Sequence, residues 1–137
     1  MYRTLIADDE EMIRRGIARL LEADEEIEVV AQAEDGEMAL EMAKEHLPDL
    51  LFVDINMPFM SGLEFIERLR AVRKDAVVVI VTGYDNFAYA QRALQLGVQD
   101  YLLKPVMEEP FYESLQKMKK RLASRNQQAR YLDWAQH

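Results

Sequence analysis

The sequence predicts an α/β fold, a doubly wound parallel sheet of five strands with helices on both faces. Three observations predict it. Short β-branched or apolar runs alternate with longer helical patterns five times along the 137 residues. Several of those runs are apolar on consecutive residues, the pattern of strands covered on both faces. Regular βα alternation favours parallel neighbours joined by right-handed crossovers.

The strands are read at residues 3–7, 27–33, 50–53, 77–82 and 100–103. Between them, Ile13, Ile17 and Leu20 mark a first helix, and Leu40, Ala43 and Leu47 a second. Leu63, Ile66 and Leu69 mark the third, and Phe87, Ala90 and Leu94 the fourth. The fifth is the cleanest, with Phe111, Leu115, Met118 and Leu122 on one face. Pro48 ends the second helix and Gly97 the fourth, each where a breaker is wanted. For five strands the common order is 2-1-3-4-5, taken from known sheets of this class rather than from these residues. That order sets strands 1 and 3 side by side, so a site forms where their C-terminal ends meet.

Bulk properties narrow the function. The length suits one domain with a single core, and half the residues are hydrophobic. The longest apolar run, around residues 76–81, falls far short of the roughly 20 residues that cross a bilayer. No secretory signal pattern opens the chain, and the lack of cysteine excludes disulfides and thiolate metal sites. These features fit a cytoplasmic location. A net charge of −8 disfavours direct nucleic-acid binding, which rewards clustered Lys and Arg.

The strand ends carry the chemistry. Strand 1 runs into Asp8-Asp9-Glu10 and strand 3 into Asp54. Two carboxylates 4 Å apart repel by about 4 kcal/mol at an effective dielectric near 20. Three held together need a cation or a proton. Hard oxygen ligands without His or Cys point to Mg²⁺. A plainer reading has Asp8-Asp9-Glu10 capping the first helix, and both roles can coexist. Strand 4 ends in Thr82-Gly83, offering a hydroxyl and a closely approachable backbone, and strand 5 in Lys104-Pro105, offering a mobile ammonium. Each is weak alone, since a Thr-Gly is usually a turn and a lone Lys usually solvated. Acids, acid, hydroxyl and ammonium on four strand ends form a specific set.

Over residues 2–123 the chain resembles the receiver domain of bacterial two-component response regulators, whose fold is flavodoxin-like (CheY-like). The resemblance is carried by Leu5-Ile6-Ala7-Asp8-Asp9-Glu10, Val53-Asp54-Ile55-Asn56-Met57-Pro58, Gly62-Leu63, Val81-Thr82-Gly83 and the run from Gly97 through Tyr101 to Pro105. Thr82-Gly83-Tyr84-Asp85-Asn86-Phe87-Ala88-Tyr89 further resembles YesN-like regulators, whose output domain is an AraC-type DNA-binding helix-turn-helix.

The resemblance implies a mechanism. Asp54 is the phosphoacceptor that attacks a phosphohistidine on a sensor histidine kinase. Asp9, Asp54 and the backbone carbonyl of Asn56 hold Mg²⁺, with Asp8 acting through a water. Lys104 and Thr82 neutralise the phosphoryl group, and the same site later hydrolyses it, so the chain is a switch rather than a turnover enzyme. Thr82 and Tyr101 then remodel the face of helix 4, strand 5 and helix 5, which also offers a route to a homodimer. Tyr101 has a plainer reading as an amphipathic strand residue. A cis Lys104–Pro105 bond is implied too.

The chain departs from the family at Phe59 and Ser61, where Gly and Asp are usual. Phe59 would then be a partner contact or a shield for the phosphate, and Asn56 and Tyr84 would tune its lifetime. Residues 1–123 are read as the receiver and 124–137 as a linker or helical extension toward an output domain. Leu115, Met118, Leu122, Ala129 and Leu132 fit heptad positions that Arg125 interrupts, so the extension could pair two chains; a polar linker is the preferred reading.

Three other readings compete. A haloacid-dehalogenase-type Mg²⁺ phosphatase wants an Asp where Asn56 stands. A pseudo-receiver would keep the fold and never take phosphate. A flavin carrier would need a Ser/Thr/Gly-rich phosphate loop in place of Asp8-Asp9-Glu10.

Overall fold

Each of the five β-strands, β1 (Tyr2–Ala7), β2 (Ile27–Ala33), β3 (Leu50–Val53), β4 (Val77–Thr82) and β5 (Asp100–Leu103), is followed by a helix. The helices are α1 (Glu11–Glu22), α2 (Gly36–His46), α3 (Gly62–Val72), α4 (Phe87–Gln95) and α5 (Glu108–Gln136). The computed structural model describes residues 1–83 and 87–136. Every pairing is parallel, in the order β2-β1-β3-β4-β5.

Strand alternation builds two cores. Leu5, Ala7, Leu51, Val53, Val78 and Ile80 face one way and pack with Ala39 and Ala43 of α2, Phe65, Ile66 and Leu69 of α3, and Ala93 of α4. Ile6, Leu50, Phe52, Val77, Val79 and Val81 face the other way, onto Ile17 and Leu21 of α1 and Phe111, Leu115, Met118 and Leu122 of α5. Consecutive apolar residues are therefore required, because both faces of the sheet are covered. Phe52 and Phe111 stack with ring centres 5.3 Å apart, tying α5 to the central strand.

Three helix assignments change in detail. Ile17 is buried and Ile13 packs beside it, but the stripe of α1 ends on Leu21, with Leu20 only partly covered. Leu47 lies outside both cores: it is 48% exposed with φ of 46°, ending α2 in a left-handed cap whose N–H donates to the Ala43 carbonyl. Leu94 is 72% exposed while Ala93 packs inward, and the Phe87 side chain lies outside what is described.

The backbone of α5 is helical through Gln136. Leu115, Met118 and Leu122 are spent on the chain's own sheet, so they are not available to a two-chain seam. Arg125, next in that row, donates to Asp49 Oδ1 at 2.8 Å and to the Asp75 carbonyl at 3.3 Å. Asp49 also accepts from the Arg3 backbone N–H at 2.8 Å, so one carboxylate ties α5 to the opening of β1.

Gly16 lies mid-way along α1 with nothing within 4 Å of the place a Cβ would occupy. Gly16→Ala is expected to raise stability by about 0.5–1 kcal/mol, read as a higher urea midpoint at unchanged slope.

Candidate functional site

Register places the acids. Ala7 pairs with Val53, so Asp8 and Asp54 each sit one residue past the paired ends. Backbone bonds continue beyond the strands: Asp54 N–H donates to the Ala7 carbonyl at 2.9 Å, and Asp8 N–H to the Ala33 carbonyl at 3.0 Å. Both side chains are buried, whereas Asp9, Glu10 and Asn56 are exposed. On the other side of β3, Val53 pairs with Ile80, which sets Thr82 one residue farther along the same edge than Asp54. Thr82 is fully buried. Its carbonyl accepts from the Lys104 N–H at 2.8 Å, delivering Lys104 to the cluster. The Lys104–Pro105 bond is cis.

The Lys104 ammonium is the hub. Its Nζ lies 2.9 Å from Asp8 Oδ2, 3.3 Å from Asp54 Oδ2 and 3.4 Å from Glu10 Oε1. The other Asp54 oxygen, Oδ1, accepts from the Asn56 N–H at 3.3 Å, so the carboxylate is held at both ends. Asp8 Oδ1 accepts from the Glu10 N–H at 2.8 Å. Asp8 Oδ2 is buried, and Lys104 approaches it as a charge without a well-directed N–H. The Glu10 side chain does not cap α1, so the capping reading leaves that carboxylate unexplained.

Charges at this edge are out of balance. Burial, then the neighbouring Asp8 carboxylate, pushes the Asp54 carboxyl up to about 6, despite Lys104 and the Asn56 N–H. Burial likewise raises Asp8 against the opposing pull of the Glu10 N–H and Lys104. Burial alone would depress Lys104, but the close Asp8 carboxylate and the charge of Asp54 outweigh it and push it up to about 12. One ammonium is shared by two buried carboxylates. A groove of about 420 Å³ opens above them, lined by Asp9, Glu10, Asp54, Asn56, Gly83 and Lys104. One carboxylate oxygen each from Asp8, Asp9 and Glu10 lie within 4.8 Å of one another, an all-oxygen corner.

Asp8, Asp9, Asp54, Asn56, Thr82 and Lys104 thus share one edge. Tyr101 does not join them. It pairs with Ile80 in β5, half-buried, and lines a cavity of about 200 Å³ with Ala90, Ala93, Leu94, Val98 and Gln99 beside α4. Tyr84 lies outside the described residues. Sequence reasoning gave no role to Arg14, whose Nη1 donates to the Asp8 carbonyl at 2.7 Å; nothing in its spacing marks it. It also assigned nothing to the contact of Glu10 with Lys104, although Glu10 stood among the acids it grouped.

Strand order and strand-end cluster together define the CheY-like receiver fold. The chain belongs to the response regulator receiver domain family, whose model matches residues 4–116. It is a receiver domain of a two-component response regulator. It is 38% identical over 122 residues to an uncharacterized response regulatory protein of Vibrio cholerae, covering 88% of this chain and 46% of that one. It is 34% identical over 119 residues to the uncharacterized transcriptional regulatory protein YesN of Bacillus subtilis, covering 86% of this chain and 32% of YesN. The chain therefore spans less than half the length of both curated relatives. Among solved structures, the receiver domain of AraT, a response regulator from Geobacillus stearothermophilus, superposes with a TM-score of 0.86. Identity there is 45%, over 91% of this chain and 98% of that one. No helix among the described residues is long and apolar enough to cross a membrane.

Proposed function

We propose that the chain is a phosphorylation-activated switch in which Asp54 accepts a phosphoryl group from a phosphohistidine of a sensor histidine kinase. The observation that carries this reading is the Lys104 ammonium, 3.3 Å from Asp54 Oδ2 at the floor of a groove open to solvent. The Asn56 N–H fixes the Asp54 carboxylate at one oxygen, which limits the rotation available to the nucleophile. In the transfer a P–O bond forms to Asp54 as the P–N bond of the donor breaks, and the electron pair leaves with the imidazole. Lys104 and the Thr82 hydroxyl meet the phosphoryl oxygens at the same edge, where transfer depends on positioning and charge neutralisation. The imidazole leaves on the partner, so no general base is needed here. Return to the resting state is hydrolysis of the same aspartyl phosphate, directed by the same groups.

The donors fit a hard divalent cation. All are oxygens, Asp8 Oδ2 lacks a directed donor, and one lysine cannot balance the acids around it. Asp9, Asp54 and the Asn56 backbone carbonyl would hold Mg²⁺, with Asp8 acting through a water. Mg²⁺ supplies the positive charge that lets an anionic donor approach an anionic acceptor.

Phosphorylation adds roughly −1.5 to −2 charges at Asp54, which Thr82 and Tyr101 transmit to the surface of α4, β5 and α5. Leu94, Leu103 and Met107 are exposed on that surface, 72%, 50% and 60% respectively, an apolar set suited to a partner or a second copy. Residues 1–123 form the receiver in this reading, and 124–137 lead toward an output domain. The likeness to YesN, named a transcriptional regulatory protein, supports a transcriptional output; an AraC-type DNA-binding domain and a cytoplasmic location rest on the sequence resemblance alone.

Intact mass after incubation with acetyl phosphate and Mg²⁺ tests the proposal. The wild type is expected to gain one phosphoryl mass and Asp54→Ala none. Folded wild-type protein that gains none with Mg²⁺ present would make the chain a pseudo-receiver, and repeated turnover of small phosphate esters would favour a phosphatase.

A further inference from the structure

We propose that Gly36, the first residue of α2, is a positioning residue for the phosphoacceptor edge, acting through the backbone of Met60 in the loop between β3 and α3. The proposal rests on the reading of Asp54 and Asn56 given above. That loop leaves the site at Asp54, carries Asn56 on the groove wall, and returns at Ser61, whose Oγ accepts from the Glu64 N–H to start α3. Its internal ties are few and short: Met60 N–H to the Pro58 carbonyl at 2.8 Å, Gly62 N–H to the Ile55 carbonyl at 2.7 Å, and Asn56 N–H to Asp54 Oδ1. Phe59 sits between them at φ of 68°, a region that costs an L-residue roughly 1–2 kcal/mol, and its side chain is 81% exposed. Ile55 and Met57 anchor the loop's first half in the core, which leaves the stretch from Pro58 to Met60 to be set by what packs beside it.

The outside support is α2. A Cβ placed on Gly36 would lie 2.1 Å from the Met60 carbonyl oxygen, 2.6 Å from its Cβ and 2.7 Å from its carbonyl carbon. Two of those atoms are backbone and the third is attached to it, so no rotamer change relieves the clash. The start of α2 is poorly placed to yield. Asp35 caps it through Met38 N–H at 2.8 Å, and Ala39 and Ala43 are fully buried against the sheet. The strand before it ends at Ala33, whose carbonyl holds the Asp8 N–H. The loop is the softer partner, and its displacement travels over four residues to Asn56. Gly36 thus sets how far that loop settles, and with it the Asn56 N–H that donates to Asp54 Oδ1 and the Asn56 carbonyl read above as a Mg²⁺ ligand.

The test compares Gly36→Ala with its parent in a Gly16→Ala background, which supplies stability from a site remote from the loop. Three readouts are taken: Mg²⁺ affinity by calorimetry with the metal alone, hydrogen exchange of the Gly62 amide, and phosphoryl uptake from acetyl phosphate. Supports of this kind typically cost about 10–100-fold in metal affinity when lost, so Mg²⁺ binding is expected to weaken about tenfold, with faster Gly62 exchange and slower uptake. Ala43→Gly, a stability loss at the far end of the same helix, is expected to leave Mg²⁺ affinity unchanged. Folded Gly36→Ala with affinity within about twofold of its parent and unchanged Gly62 exchange overturns the proposal. Should Gly36→Ala not fold, Met60→Ala loosens the same contact from the loop side; it is expected to weaken Mg²⁺ about threefold or more, and unchanged affinity counts against the proposal. A wild type that takes no phosphoryl group sinks the functional reading alone, because the Mg²⁺ and exchange arms still judge Gly36.

Discussion

Gly62→Ala is expected to destabilise the chain by about 3 kcal/mol or more, the largest loss among single-methyl additions to its glycines. A Cβ at Gly62 would stand 2.0 Å from the Asp54 carbonyl oxygen, 2.8 Å from its carbonyl carbon and 2.9 Å from the Ile55 Cα. All three are backbone atoms of the residues that leave β3, the central strand. Relief requires the start of α3 to withdraw, which breaks the 2.7 Å bond from Gly62 N–H to the Ile55 carbonyl and loosens Phe65 and Ile66 in the core. Urea unfolding checks the result through a lower midpoint at unchanged slope. A loss under about 1 kcal/mol would show that α3 can slide without cost, contrary to the packing of Phe65 and Ile66. The contrast with Gly16 is the point. The same substitution gains stability in open space and loses it against a carbonyl.

The sheet was legible because burial on both faces forces apolar runs, and breakers at Pro48 and Gly97 fall beside helix ends. Four of the five strands begin and end where the runs do, and β1 gains only Tyr2. Helical spacing was less informative about which neighbour faces inward. It shows that a stripe exists, yet Leu94 and Ala93 differ by one residue, and the spacing does not say which of them faces inward. Leu47 reads as a stripe residue although it ends α2 in a left-handed turn. The heptad-like row in α5 is ambiguous for the same reason, since core packing and chain pairing demand the same spacing. Its first residues face the sheet, and Arg125 is bound to Asp49.

At the site, the acids, Thr82 and Lys104 could be gathered from the strand ends alone. Their pairing could not. Which oxygens Lys104 meets, and that Glu10 and Arg14 join them, depends on side-chain reach across elements far apart in sequence. Gly36 was illegible for another reason. A glycine opening a helix after Asp35 reads as part of a cap, and the backbone of Met60 that excludes a Cβ lies 24 positions away (60 − 36).

Asp54→Asn is expected to make the metal-free protein more stable than the wild type by about 2–3 kcal/mol at pH 8. A carboxyl held at about 6 in the folded state against an ordinary 3.8 means that folding disfavours its ionised form. The folded chain retains the Asp54 proton between those values while the unfolded chain has lost it, so wild-type stability falls as pH rises from about 4 to about 6. Above that window the full penalty stands; below it both states are protonated and the two proteins should converge. Asn keeps the shape and carries no charge, so it removes repulsion with Asp8 and leaves Lys104 paired to Asp8. Thermal or urea unfolding in a chelator across pH 4–8 measures the difference, which should widen with pH. Added Mg²⁺ should then narrow it, because binding to the folded form stabilises by RT ln(1 + [Mg²⁺]/Kd) and the wild type binds more tightly. A difference flat in pH would mean Asp54 is not strained by its neighbours. A destabilised Asp54→Asn would mean that the Asp54–Lys104 pair outweighs the burial of its charge, and the edge would then be built for stability rather than for an incoming cation and phosphoryl group.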